Sequence, residues 1–140
     1  MRLVLDTDVL VAAFRSAGGA SRELLIRALD ERFVLLASTA LWLEYEAVLT
    51  RPSHLDAMRL SALEVRDALA ALATVAEQVV IHFLWRPVLA DAEDELVLDL
   101  AMNGRADTLV TFNQVDFADA SKTFQIEIVT PAVALRRLRK

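Results

Sequence analysis

Four acidic residues stand where their neighbours predict a buried position or the end of a strand: Asp6, Glu44, Asp94 and Asp116. Asp6 ends the apolar run Leu3 to Leu5, and Asp116 closely follows the run 108–111. The carboxyl ends of buried parallel strands are where open α/β sheets form their ligand crevice. Carboxylates with few lysines or histidines make a hard oxygen-ligand set, which suits Mg²⁺ or Mn²⁺ rather than zinc. Such an ion orients water and stabilises the charge that grows on a phosphodiester during hydrolysis.

Helical periodicity singles out Glu44 and Asp94 among the acids of their segments. In a helix predicted from about Ala40 to Leu49, the neighbours of Glu44 three and four residues away are all apolar. Glu44 therefore interrupts a stripe that should face the protein, whereas Glu46 lies on the flank. Asp94 likewise shares a helix face with residues 97, 98 and 101, and Asp91 lies one turn before it.

Each of these acids also has a structural explanation. Asp6 suits a helix cap, and Glu44 could be a half-buried acid paired with an arginine. Asp94 falls in a first helical turn, where acids complement the helix dipole. Asn113 and Asp116 are common turn formers.

Composition and charge limit the class of protein. With 140 residues and 56% hydrophobic content, the sequence predicts one folded domain covering residues 1–140. We expect a cytoplasmic protein without a signal peptide or membrane span, and the absence of cysteine excludes disulfides. The net charge of −5 is unusual for a protein that binds nucleic acid through phosphates, unless a divalent ion neutralises a cluster of acids.

Predicted strands and helices alternate along the chain, which indicates an α/β fold with a mostly parallel sheet of about five strands. A capping box, Ser61 with Glu64, begins a long helix reaching about Glu77. Residues 112–125 are predicted to be a loop with a short helix. The predicted strands are Leu3–Leu5, Phe33–Ala37, Val79–Phe83, Thr108–Thr111 and Ile126–Val129.

The sequence resembles the PIN domain family over nearly its whole length. The resemblance rests on residues 5–10 (LDTDVL), 41–49 (LWLEYEAVL), the pair Asp91 and Asp94, residues 106–117 (ADTLVTFNQVDF), and 128–131 (IVTP). It looks closest to the VapC-like toxins of bacterial and archaeal toxin–antitoxin pairs. The resemblance implies a three-layer α/β/α Rossmann-like fold and an endoribonuclease that depends on Mg²⁺ or Mn²⁺. It also implies a homodimer and a small cognate antitoxin.

Position by position, the resemblance makes the four acids catalytic, in the order Asp6, Glu44, Asp94, Asp116. It implies metal ligation by Asp6, Asp94 and Asp116, with Glu44 and Asp91 as further candidates. Thr111 and Asn113 are expected to position the substrate or a water molecule. Substrate RNA is expected along arginines near the crevice, for which the candidates are Arg15, Arg51 and Arg86.

Two positions depart from the family pattern. Asp8 stands where the family usually has asparagine, and Asn113 stands where many relatives carry an acid. The second departure leaves open whether one ion or two are bound.

Two other functions remain open on the sequence. In a haloacid-dehalogenase-like phosphatase, Asp6 would be the nucleophile and Ser38 would end the second strand, but both lysines come late in the chain. Alternatively, the chain is a non-catalytic PIN-like scaffold, which Asn113 would favour. Neither histidine is expected to be catalytic: His82 is predicted to be a core histidine within a strand, and His54 to be solvated in a loop.

Overall fold

The computed structural model describes residues 1–84 and 92–139. Within them a five-stranded parallel sheet is covered by helices, which confirms the predicted three-layer α/β/α class. The strands are β1 (Arg2–Leu5), β2 (Val34–Ala37), β3 (Glu77–Gln78), β4 (Thr108–Val110) and β5 (Glu127–Val129). The helices are α1 (Thr7–Arg15), α2 (Ala20–Leu29), α3 (Thr39–Leu49), α4 (Pro52–Met58), α5 (Ala62–Val75), α6 (Ala92–Asn103), α7 (Gln114–Phe124) and α8 (Pro131–Leu138).

The first strand lies at the centre of the sheet, whose order is β3-β2-β1-β4-β5. Leu3, Val4 and Leu5 are almost completely buried, as expected for a strand covered on both faces. The chain builds β2 and β3 on one side of β1 and then β4 and β5 on the other. The strand order therefore reverses between β1 and β4, and the carboxyl ends of these two strands border the crevice typical of such sheets.

The third strand differs from its prediction. Only Glu77 and Gln78 pair with β2, and residues 79–83 are not a strand. The side chain of Asn103 replaces the missing strand pairing, because its Oδ1 accepts from the backbone N–H of His82 and of Phe83 at 2.9 and 3.1 Å. His82 is exposed, so the prediction of a core histidine in a strand is wrong.

Two helical segments also differ from prediction. The segment after Arg51, expected to be a loop, forms the seven-residue helix α4, with Pro52 at its first turn. The segment 112–125 contains an eleven-residue helix, α7, which leaves little loop. Among the described residues, no helix has the length and apolar character required to cross a membrane.

Candidate active site

The predicted acids Asp6, Glu44 and Asp94 line one crevice of about 300 Å³ at the carboxyl edge of the sheet. They come from the end of β1, from α3 and from α6, and Asp8 on α1 joins them. The fold therefore brings four carboxylates together from segments far apart in the sequence. Asp6 and Asp94 are 7% and 8% exposed, so both carboxylates lie largely out of solvent.

Asp6 is held at the junction between β1 and α1. Its backbone N–H donates to the carbonyl of Val110 at 2.9 Å, which extends the pairing of β1 with β4 by one residue. Its Oδ1 accepts from the N–H of Thr7 at 2.8 Å, and its Oδ2 accepts from the hydroxyl of Thr111 at 2.7 Å. Asp6 thus caps α1, as the structural explanation requires, and also lines the crevice.

Thr111 orients the groups around it. Its side chain is fully buried, and its hydroxyl donates to Asp6 while accepting from the N–H of Asn113 at 2.9 Å. These bonds indicate that Thr111 orients the Asp6 carboxylate and does not contact a substrate directly. Asn113 does line the crevice.

Tyr45 holds the end of β1 in place, a role that the sequence alone did not indicate. It is buried, and its hydroxyl donates to the carbonyl of Leu5, the residue before Asp6. Burial, together with the nearby charge of Asp6, raises the pKa of Tyr45 well above its ordinary value. Tyr45 therefore remains a neutral donor that fixes the end of the central strand.

The crevice disfavours the negative charge of Asp8. Burial, and then repulsion from Asp6, raise the pKa of Asp8 from 3.8 to about 6. The N–H of Phe112 donates to its carboxylate at 3.2 Å and partly opposes that increase. An acid that resists ionisation beside another acid marks a place where a cation would be stabilised.

We predict that Asp8→Asn stabilises the metal-free protein at pH 7.5 by about 1 kcal/mol. The increase in pKa from 3.8 to about 6 corresponds to about 3 kcal/mol, which we reduce because Asp8 is partly exposed and its charge is screened. The pKa is higher in the folded state, so ionisation destabilises the fold above pH 6. That penalty falls as the pH drops from about 6 towards 3.8.

Urea denaturation of both proteins with a chelator, at pH 7.5 and pH 4, measures this difference. The stabilisation should largely disappear at the lower pH, and Asp119→Asn, at an exposed position on α7, should show no such effect. A less stable Asp8→Asn at pH 7.5 would show that the carboxylate is favourably placed without an ion.

Asp116 lies apart from the other predicted acids. It is exposed in the first turn of α7 and does not line the crevice, whereas Asn113, the N-cap of this helix, does. The amide Nδ2 of Asn113 donates to the Asp116 carboxylate at 2.6 Å. Asp116 is therefore linked to the crevice through Asn113.

The remaining predicted residues differ in their relation to the crevice. Asp91 and Arg86 lie outside the described residues. Arg15 is exposed at the end of α1 and does not line the crevice, whereas Arg51 does. The hydroxyl of Ser38 is buried and accepts from the N–H of Leu41 as the cap of α3, and Ser38 does not line the crevice.

Three further acids on α3 and α6 do not line the crevice. Glu46 does lie on the flank of α3, where it pairs with Arg66 at 2.7 Å. Glu95 and Asp99 on α6 are also buried, at 7% and 3% exposed. Neither lines the crevice, and neither is without a partner.

His54 was missed by sequence reasoning. It lies on α4, is only partly exposed and lines the crevice, so the prediction of a solvated loop residue is wrong. Its proximity to the acids depends on α4, a helix that the sequence pattern did not indicate.

The donor chemistry of the crevice fits a hard divalent ion. Within residues 1–84 and 92–139, no three acidic or histidine side chains are grouped closely enough to hold an ion between them. Mg²⁺ usually retains several waters and takes only one or two protein carboxylates, so this spacing is compatible with it.

Comparison with known families identifies the domain. A family model described as PIN domain matches residues 2–115, from β1 to the start of α7. Proteins of this family are generally nucleases, and they generally use divalent metal ions. No curated protein matches the chain significantly. Because the matched region covers most of the chain and includes every crevice residue named above, the chain belongs to the PIN domain family.

Proposed function

We propose that this protein is an endoribonuclease that depends on Mg²⁺ or Mn²⁺ and acts as the toxin of a toxin–antitoxin pair. The observation that carries the proposal is a single crevice lined by Asp6, Asp8, Glu44 and Asp94, in which the pKa of Asp8 is raised. Metal-dependent nuclease activity is the general property of the family. RNA as the substrate follows from the resemblance to VapC-like proteins.

Asp6 and Asp94 would hold the ion, because both are largely buried at the crevice wall. Glu44 and Asp8 line the same space and are further candidate ligands. When bound, the ion activates a water molecule and stabilises charge on the phosphate. Thr111 fixes the Asp6 carboxylate through its hydroxyl, and Arg51 at the crevice wall is placed to attract the phosphate.

The direct test is cleavage of single-stranded RNA by the purified protein. We expect cleavage with Mg²⁺ or Mn²⁺ and none with excess chelator, and weaker cleavage of DNA of the same sequence. A chain that cleaves nothing and gains no thermal stability from either ion would be a non-catalytic scaffold. Hydrolysis of an aryl phosphate without RNA cleavage would instead support the phosphatase alternative, although no lysine of the described residues lines the crevice.

An apolar groove supports the proposal of an antitoxin partner. Side chains of α1, α2 and α5 enclose about 400 Å³, and Ile26 and Leu29 at this groove are 44% and 41% exposed. A groove of this kind fits the apolar face of an amphipathic helix. We propose that an antitoxin helix occupies it. We also propose that the protein forms a homodimer, as the family resemblance implies.

If the protein is a toxin, its expression in bacterial cells should arrest growth. Expression of Asp6→Asn at the same level should not, because the arrest would come from RNA cleavage in the crevice. Growth curves with immunoblots of both proteins measure this. Equal arrest by the two proteins would argue against cleavage as its cause, and normal growth with both would argue against the toxin assignment.

A further inference from the structure

The imidazole of His54 has an unusual environment. His54 lines the crevice, and its Nδ1 is buried without a hydrogen-bond partner in the described part of the chain. Buried polar atoms nearly always have a partner, so an exception requires an explanation. A group that comes from outside the chain, such as a bound substrate, would supply one.

The elements packed against α4 present mainly acids to this space. Helix α4 packs on α1 and α3, which contribute Asp8 and Glu44 to the crevice. Asp6 and Asp94 complete the acidic side, and the positive group nearest in sequence is Arg51, the N-cap of α4. A phosphodiester bound in this crevice would therefore share it with His54 and Arg51 as well as with the acids.

Phosphodiester hydrolysis requires two kinds of help. The attacking water must lose a proton, and the leaving oxygen must gain one as its bond to phosphorus breaks. The carboxylates of the crevice can serve the first need. Histidine is the side chain that most often meets the second.

We propose that His54 is the proton donor to the leaving oxygen, an inference that rests on the proposed ribonuclease function. The oxygen of water forms a bond to phosphorus, and the bond from phosphorus to the leaving oxygen breaks. The leaving oxygen takes a proton from the imidazole of His54, and a proton of the attacking water passes to a crevice carboxylate. The crevice carboxylate then releases its proton to solvent and the imidazole takes one up from solvent, so that atoms and charge balance over the cycle.

The test compares His54→Ala with the wild-type protein on two RNA substrates. One is ordinary RNA, and the ends of its cleavage products identify the leaving oxygen. The other is the same RNA with sulfur in place of that oxygen. We expect kcat on ordinary RNA to fall about 10²- to 10⁴-fold with KM little changed. On the sulfur substrate the kcat values of the two proteins should agree within about threefold, because a thiolate leaves without a proton.

His82→Ala is the matched control, since His82 is exposed and does not line the crevice. It should behave as the wild type does on both substrates. If His54→Ala fails to fold, His54→Gln keeps a polar side chain of similar size and should show the same selective loss.

Equal losses on the two substrates would overturn the proposal, because they would mean a binding or structural role. Metal-dependent cleavage that survives His54→Ala unchanged would overturn this proposal alone. A wild-type protein that cleaves no RNA with either ion would overturn both this proposal and the function on which it rests.

Discussion

Asp6→Asn should reduce metal-dependent RNA cleavage about 10³-fold or more while the protein remains folded. Stabilisation of transition-state charge by a metal ion amounts to several kcal/mol, and each 1.4 kcal/mol corresponds to a factor of ten in rate. Asparagine keeps the steric shape of aspartate but lacks its charge. The substitution therefore tests charge and ligation more than packing.

The local structure should tolerate this substitution. Asparagine caps helices about as well as aspartate, so its amide oxygen can still accept from the N–H of Thr7. The amide nitrogen can donate to the hydroxyl of Thr111, which accepts as well as donates. We expect a melting temperature close to that of the wild type, and Asp119→Asn should retain full activity. Wild-type rates for Asp6→Asn would remove Asp6 from the site.

Asp94→Asn and Asp116→Asn should differ sharply in their effects. Asp94 is 8% exposed and lines the crevice, so its loss should lower kcat/KM about 10³-fold for the same reason as at Asp6. Asp116 is exposed and reaches the crevice only through Asn113. Residues that orient a ligand indirectly are typically responsible for about 10- to 100-fold in activity, and we expect Asp116→Asn to fall in this range.

The cleavage rates of both variants are measured over the same series of Mn²⁺ concentrations. For Asp94→Asn, saturating Mn²⁺ should not restore the rate. If Asp116→Asn is as impaired as Asp94→Asn, the functional site extends beyond the crevice, and the four acids act together as the resemblance implies.

The central part of the fold could be predicted because its signals are local. The apolar run ending at Asp6 determines a buried strand, and Thr7 and Asp8 suit the start of a helix. Since the carboxyl ends of parallel strands share one edge, the meeting of Asp6 with the end of β4 follows from the fold class alone. The positions of Glu44 and Asp94 required only helical periodicity in addition.

The parts that could not be predicted depend on contacts between distant segments. Residues 79–83 have the composition of a strand, but Asn103 binds the backbone at residues 82 and 83 instead. Asp116 follows β4 as expected, but α7 begins at Gln114 and places Asp116 in its first turn, outside the crevice. Short local patterns do not contain this information.

His54 illustrates the same limit within the site. Helix α4 has only seven residues and no buried side chain, so its sequence lacks the apolar stripe from which a helix is predicted. Its position against α1 and α3 brings His54 to the acids, and that packing is a property of the folded chain.

The central claim, that Asp6 and Asp94 hold a divalent ion, is tested most directly by calorimetric titration of the metal-free protein with Mn²⁺. This measurement does not depend on knowing the RNA substrate. We predict saturable binding by the wild type and an affinity at least about tenfold lower, or 1.4 kcal/mol, for Asp6→Asn and for Asp94→Asn. Asp119→Asn should bind as the wild type does. Unchanged affinity in both crevice variants, or no binding by the wild type, would contradict the account.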